Sequence, residues 1–339
     1  MTVVALSGGI GGAKLALGLY RELPPDSLMV VCNTGDDFEH LGLAISPDLD
    51  TVLYTLAGIA NPETGWGRAG ETWSFMRALG ELGGETWFRL GDADLAIHVE
   101  RTRRFGAGER LSGIGEDFGR RLGLRARVLP MCDEPVRTIV QTPSGPLAFQ
   151  RYFVEQRCAP EVTGFGFEGA DAARPLPAIE QALASVDLEA VAICPSNPFI
   201  SIDPILAVPG MREAIAACPA PVVAVSPIIG GRAVKGPTAK MMAELGLSIS
   251  ARTVADHYAG LVDGFVLDDA DAEEAEAIEV PCLATRTLMT SDDDKRALAA
   301  EVLAFARGLT VSASDRERRG SRRSSPPAAP PSANDPSSG

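Results

Sequence analysis

Residues 3–14 read VVALSGGIGGAK. The first four positions are aliphatic throughout, the pattern of a short buried strand. Four glycines then fill five positions (Gly8, Gly9, Gly11 and Gly12) ahead of Lys14, and residues 15–23 carry a helical pattern. A strand that runs through a glycine-rich turn into a helix opens a parallel α/β fold. It is also a phosphate cradle, because glycines let backbone N–H groups approach an anion and the helix N-terminus adds a favourable potential. Lys14 would add a full positive charge. The turn matches neither common template. The G-x-G-x-x-G fingerprint fits Gly9 and Gly11, but its third glycine falls on Lys14, and the Walker pattern needs G-K-[ST] where Ala13-Lys14-Leu15 stands. A phosphate loop of another lineage and a tight βα turn without ligand both stay open.

Outward from this turn, residues 28–32 (LMVVC) read as a second buried strand, followed by NTGDDFEHLGLAISPDLDT over residues 33–51. Asp36, Asp37, Asp48 and Asp50 fall within fifteen residues there, with Gly35, Gly42 and Pro47 bending the chain between them. The acids start where a strand stops, the place where open α/β sheets bind ligands. Two acidic pairs on a folded-back loop can gather oxygen ligands around a hard divalent cation such as Mg²⁺. A solvated acidic turn with helix caps is the plainer alternative.

Beyond this stretch the pattern becomes mixed. Residues 51–59, 71–82, 92–104 and 116–122 read as helices, and the third brings His98, Arg101, Arg103 and Arg104 together. That cationic run either covers an anionic substrate or forms a solvated helix face. Residues 125–129, 136–141 and 147–153 read as strands, with a hairpin turn at Pro143-Ser144-Gly145. After a helix at 177–186 the strand–helix rhythm resumes, with strands at 190–194, 221–225, 264–267 and 282–284 and helices at 205–217 and 292–307. The alternation predicts an α/β fold: a Rossmann-like, doubly wound, mostly parallel sheet. Its core spans residues 1–51 and 188–309, and a mixed α+β insertion, helical with a β-hairpin, occupies 52–187. Residues 310–339, rich in Ser, Pro, Arg and Ala without apolar periodicity, read as a disordered tail.

Composition narrows the function. The formal charge of −14 argues against nucleic acid and membrane surfaces as partners. No apolar run approaches the roughly 18–20 residues of a membrane span, and the N-terminal MTVVALSGG lacks the basic region and cleavage site of a signal peptide. Six scattered cysteines without a C-x-x-C suit a reduced, cytoplasmic protein. Four loops, at 7–14, 33–50, 195–198 and 226–238, would meet along one sheet edge, and the last offers Arg232 and Lys235. A phosphate cradle, a candidate metal site and further cations suit phosphoryl transfer, where catalysis is mostly positioning and charge neutralisation. The spacing of His40, His98 and His257 suggests no nucleophilic relay.

The segments GGIGGAK, NTGDDFEHLGLAISPDLDTVLYTLAG, WFRLGDADLAIH, CPSNPFISIDPIL and SPIIGGRAVKGPTAKMM occur here in an order and spacing that resemble the 2-phospho-L-lactate transferase family, over residues 2–309. The resemblance implies a Mg²⁺-dependent enzyme of coenzyme F420 biosynthesis. The ribityl hydroxyl of the deazaflavin Fo attacks a guanosine diphosphate-linked three-carbon acid, a phosphodiester forms and GMP leaves. The acid is phospholactate in archaea, and phosphoenolpyruvate or 3-phosphoglycerate in other members. The resemblance also implies a homodimer.

Carried over by motif, Asp36 and Asp50 are the first metal ligands, and Asp37 and Asp48 are further ligands or orienting partners. Gly8, Gly9, Gly11 and Gly12 sit against the diphosphate with Lys14. Asn33 and Thr34 hold Fo or phosphate oxygens, Asn197 and Phe199 touch a ring, and Arg232 and Lys235 neutralise phosphate. Two other readings of the same residues are an NAD(P)-dependent Rossmann oxidoreductase and a non-catalytic nucleotide-binding regulatory protein. The missing third glycine and the surplus acids weigh against the first.

Overall fold

The computed structural model of the chain describes residues 1–310. The tail expected at 310–339 lies, beyond its first residue, outside them.

In chain order, β1 (Thr2–Ser7), α1 (Gly9–Glu22) and β2 (Leu28–Cys32) lead to a small hairpin of β3 (Phe38–His40) and β4 (Leu43–Ile45). Four helices follow: α2 (Pro47–Leu56), α3 (Ser74–Glu81), α4 (Asp94–Gly106) and α5 (Leu111–Arg121). Then come β5 (Arg127–Pro130), β6 (Arg137–Gln141), β7 (Leu147–Ala148), β8 (Gly164–Glu168) and α6 (Pro177–Ala184). The second half contains β9 (Leu188–Ile193), α7 (Asp203–Leu206), α8 (Met211–Ala217), β10 (Val222–Val225) and a hairpin of β11 (Ile228–Ile229) and β12 (Arg232–Ala233). It closes with α9 (Thr238–Glu244), α10 (Ala251–His257), β13 (Gly264–Asp268), β14 (Cys282–Thr285) and α11 (Asp292–Gly308).

Seven strands form one parallel sheet in the order β14-β13-β10-β9-β1-β2-β5. Its strands read as continuous apolar runs because both faces are covered. Val3 and Ala5 of β1 pack with α1, α2, α5 and α11 on one face, while Val4 and Leu6 pack with α6, α8 and α10 on the other. The chain winds outward from β1 through β2 to β5, and from β9 through β10 and β13 to β14. The direction of winding therefore switches between β1 and β9, and a crevice opens at their carboxyl ends.

The doubly wound parallel sheet is as expected, and three local expectations change. Residues 52–187 are not one block set apart from the sheet, because β5 pairs in parallel with β2 and both α2 and α5 pack against it. Val128 and Leu129 are buried on opposite faces there, as a sheet strand requires. What stands outside the sheet is the helical stretch around α3 and α4 and the antiparallel sheet β7-β6-β8. The expected strand at 147–153 pairs only over Leu147–Ala148 and then coils into a π-helical turn, Arg151–Glu155. The single helix expected at 205–217 is broken: Pro198–Ile202 forms a π-helical turn, and Gly210, at φ 92°, lies between α7 and α8. No helix among the described residues is long and apolar enough to cross a membrane.

α1 and α11 lie against each other through Gly18, where a Cβ would overlap the Lys295 carbonyl and reach within 3.1 Å of the Ala299 methyl. Backbone cannot yield as a flexible side chain can. Gly18→Ala is therefore expected to lose about 1–3 kcal/mol of stability, read from the midpoint of urea unfolding. An unchanged midpoint would show that α11 is free to shift.

Candidate active site

The crevice at the switch point is a cleft of about 610 Å³. The glycine cluster forms its floor, and the glycines serve close approach. α1 starts at Gly9, which takes φ 63°, so the cluster is the first turn of the helix rather than a loop before it. A Cβ on Gly11 would come within 2.5 Å of the Pro195 carbonyl, and one on Gly12 would overlap the hydroxyls of Ser196 and Ser7. Ser196 locks the two strand ends together: its Oγ donates to the Gly8 carbonyl at 2.7 Å and accepts from Gly8 N at 3.1 Å. The loops after β1 and β9 are thus held at the van der Waals limit beside the helix N-terminus, whose potential favours an anion.

The acids divide into two sets. α2 begins at Pro47, four residues earlier than expected, with proline in its first turn, so Asp48 and Asp50 belong to a helix rather than a loop. Residues two apart on a helix point about 200° away from each other. Asp48 faces the cleft: its Oδ1 accepts from Gly9 N at 2.6 Å and its Oδ2 from Asn33 Nδ2 at 2.9 Å. The same Asn33 amide lies 3.4 Å from Asp36 Oδ1, so Asn33 bridges the two carboxylates that line the cleft. Asp50 points the other way, into a direct ion pair with the wholly buried Arg101. The expectation that Asp50 pairs with Asp36 is corrected accordingly, and Asp48 takes its place. Asp37 and Thr34 also leave the cleft. They line a second cavity of about 220 Å³, and Ser46 Oγ donates to Asp37 Oδ2 at 2.8 Å.

Burial pushes the cleft carboxylates up. Asp48 rises to about 6, and Asp36 goes well above the usual carboxylate range through burial and then the charges of Asp48 and Asp37. Asp37 rises to about 7 through burial. Two buried acids facing each other in a cleft leave a deficit of positive charge that a cation would fill. No group of three or more His, Cys, Asp or Glu among the described residues forms a metal cage. Mg²⁺ does not need one, since it usually keeps several waters and takes one or two carboxylates plus substrate phosphate. The Asp36–Asp48 pair fits that donor set.

Lys14 borders the cleft, half-buried, and donates to the Met289 carbonyl at 2.7 Å. Burial, followed by the neighbouring Lys235 and Lys295, holds its pKa below the usual lysine value. Lys235 lines the cleft and Asn197 does too, whereas Arg232 is exposed on the β11–β12 hairpin away from the lining. Asn197 Oδ1 accepts from Phe199 N at 3.0 Å and shapes the turn. The Phe199 ring does not reach the cleft: it is buried, stacked on Phe165 at 6.0 Å between centroids. Gly12 acts through Ser7 and Ser196 and is not itself a wall.

Sequence reasoning missed Ser196, Gln150 and the aromatic wall. Gln150 Nε2 donates to the Asp36 carbonyl at 3.1 Å. Trp66, Trp87, Phe88, Phe149 and Phe153 line the cleft from the segments outside the sheet. Arg151 lies over the Trp87 ring at 4.5 Å, and Phe149 stacks on Phe153 at 5.2 Å. Their sequence signal was only an excess of aromatics near glycines, which core packing produces equally well.

Fold and site together define an α/β protein with a cleft at the switch point of a parallel sheet, between the start of a glycine-rich helix, paired acids and aromatic walls. The family model of 2-phospho-L-lactate transferase CofD matches residues 3–304. A phosphoenolpyruvate transferase from Streptomyces griseus is 43% identical over 90% of this chain and 98% of its own. A 2-phospho-L-lactate transferase from Methanococcoides burtonii is 39% identical over 89% of this chain and 99% of its own. A crystal structure of a upf0052-family protein from Bacillus halodurans superposes with a TM-score of 0.61 at 15% identity, over 89% of this chain and 98% of that one, and supports the fold. The chain belongs to the 2-phospho-L-lactate transferase CofD family. It is an enzyme, a transferase, and the oxidoreductase and regulatory readings fall.

Gly11→Ala forces the Pro195 loop away from the α1 N-terminus. Binding of inorganic pyrophosphate, measured by calorimetry, is expected to weaken at least tenfold (about 1.4 kcal/mol) with the circular dichroism spectrum unchanged. Parental affinity in this variant would show that the glycine turn is not the anion cradle.

Proposed function

We propose that this chain joins a guanosine diphosphate-linked three-carbon acid to the deazaflavin Fo with loss of GMP, a step of coenzyme F420 biosynthesis. The observation that carries this reading is the Asp36–Asn33–Asp48 bridge set against the α1 N-terminus in one cleft with an aromatic wall. The donor's diphosphate lies on the N–H groups of the glycine turn with Lys14 and Lys235 beside it. The flat deazaflavin packs on the aromatic side chains, which offer large apolar faces. The ribityl hydroxyl oxygen attacks the phosphorus that bears the acid, the bridging P–O bond to GMP breaks, and the hydroxyl proton leaves to solvent or to a cleft carboxylate. Mg²⁺ held by Asp36 and Asp48 would neutralise charge on the phosphate oxygens.

Enolpyruvyl phosphate is the favoured acid, because the Streptomyces relative, more similar than the Methanococcoides one, is named for phosphoenolpyruvate. The 2-phospholactyl and 3-phosphoglyceryl donors are the competing choices. A homodimer, implied by the family resemblance, is part of the proposal and is checked by light scattering: a monomeric mass at working concentrations would remove it. Cytoplasmic residence is supported by six free cysteines, which suit a reducing compartment.

The test is turnover with Fo, Mg²⁺ and each of the three donors, followed by GMP release and product mass. Product should form best from the enolpyruvyl donor and vanish on chelation. Asp36→Asn and Asp48→Asn should each fall more than about 100-fold (roughly 2.7 kcal/mol) because the phosphate charge loses its counter-ion. Turnover that ignores chelation would remove the metal, and no product from any donor would sink the assignment.

A further inference from the structure

α4 grips the segment that carries Asp48 on both sides of it. On one side is Ala44 of β4: its N–H donates to Thr102 Oγ1 at 2.8 Å, and its carbonyl accepts from Arg101 Nη1 at 3.2 Å. On the other side is Asp50, whose Oδ1 accepts from Arg101 Nη2. One guanidinium therefore spans residues 44 and 50, and Asp48 hangs between them. The grip is itself braced. His98 Nδ1 lies 3.3 Å from Arg101 Nη1 and 3.7 Å from Asp50 Oδ2, and His98 Nε2 lies 3.5 Å from Asp94 Oδ2. Asp94 Oδ1 accepts from Tyr54 OH of α2 at 2.5 Å, and Thr102 Oγ1 donates to the His98 carbonyl at 2.7 Å.

Arg101 is 0% exposed and Asp50 4% exposed. A buried ion pair adds little net stability over an apolar pair of the same volume, because both charges must leave water. What it supplies is direction, since a planar fork with several donors fixes the geometry of two acceptors at once. The direction matters here because Asp48 must reach Gly9 N and the Asn33 amide together. We propose that Arg101 is a positioning residue. Its fork sets the rotation and height of the first turn of α2, and so holds Asp48 at the separation from Asp36 that a shared cation requires. This rests on the reading of Asp36 and Asp48 as the cation-binding pair.

Two variants test it, with Mn²⁺ as the probe, by electron paramagnetic resonance on the full chain without substrates. Arg101→Lys keeps a cation beside Asp50 but cannot span both acceptors. It is expected to fold and to bind Mn²⁺ about 10–100-fold more weakly, the range typical for groups that orient metal ligands. The double variant Arg101→Met/Asp50→Leu replaces the pair by apolar side chains. It should keep the parental thermal midpoint, with no return of Mn²⁺ affinity, and it carries the test if the lysine variant does not fold. In turnover both variants should raise the Mg²⁺ concentration for half-maximal rate while the Michaelis constant for Fo stays near parental.

Parental Mn²⁺ affinity in either folded variant overturns the positioning role. Activity lost only in proportion to the unfolded fraction overturns it equally. If the parent binds no Mn²⁺, or Asp48→Asn binds it as well as the parent, the cation-pair reading falls and takes this proposal with it.

Discussion

The structure of the site depends on one short hydrogen bond, from Gly9 N to Asp48 Oδ1 at 2.6 Å. It joins the first turn of α1 to the first turn of α2. Asn33 extends the tie from the end of β2, and Ser196 extends it from the end of β9. Four chain segments that are distant in sequence converge here because the parallel sheet places the carboxyl ends of β1, β2 and β9 side by side. A helix N-terminus favours negative charge. A carboxylate is therefore at home against Gly9 N.

Close approach at this point constrains the sequence around it. Gly8 would place a Cβ 2.6 Å from Asp48 Oδ2, and Gly11 and Gly12 have no room beside Pro195 and Ser196. These glycines serve the meeting of two strand ends and a helix start. The electrostatics follow from the same burial. Acids at the bottom of a cleft lose hydration, repel one another and stay protonated to higher pH than exposed ones.

The fold was legible because its strands are continuous apolar runs, and residues 3–6, 28–32 and 221–225 could be read with no partner in view. The place of β5 was not, because a strand's neighbour is a tertiary fact. Residues 127–130 carry the same pattern whether they join this sheet or a separate one. The site was legible as a set of loops but not as a set of directions. Ser46-Pro47 starts a helix, and the glycines and proline around the acids mask that start by giving the same sequence the look of a loop carrying Asp48 and Asp50 as one pair. Once the helix is known to start at Pro47, two residues' separation sends one acid to the cleft and the other to Arg101. Arg101 itself stood in a cationic run that looked like a solvated face, and nothing local distinguished it from Arg103, which is exposed and paired with Glu100. Phe199 sits beside a cleft residue in sequence, yet its ring enters the core against Phe165.

The most direct measurement is a crystal structure of the protein with guanosine diphosphate and Mn²⁺, with the metal located by its anomalous scattering. The account predicts one Mn²⁺ between the carboxylates of Asp36 and Asp48, completed by phosphate oxygens and water, with the diphosphate along the N–H groups of the α1 start and Asp50 still paired with Arg101. A metal ligated by Asp50, or a diphosphate bound away from the glycine turn, would contradict it.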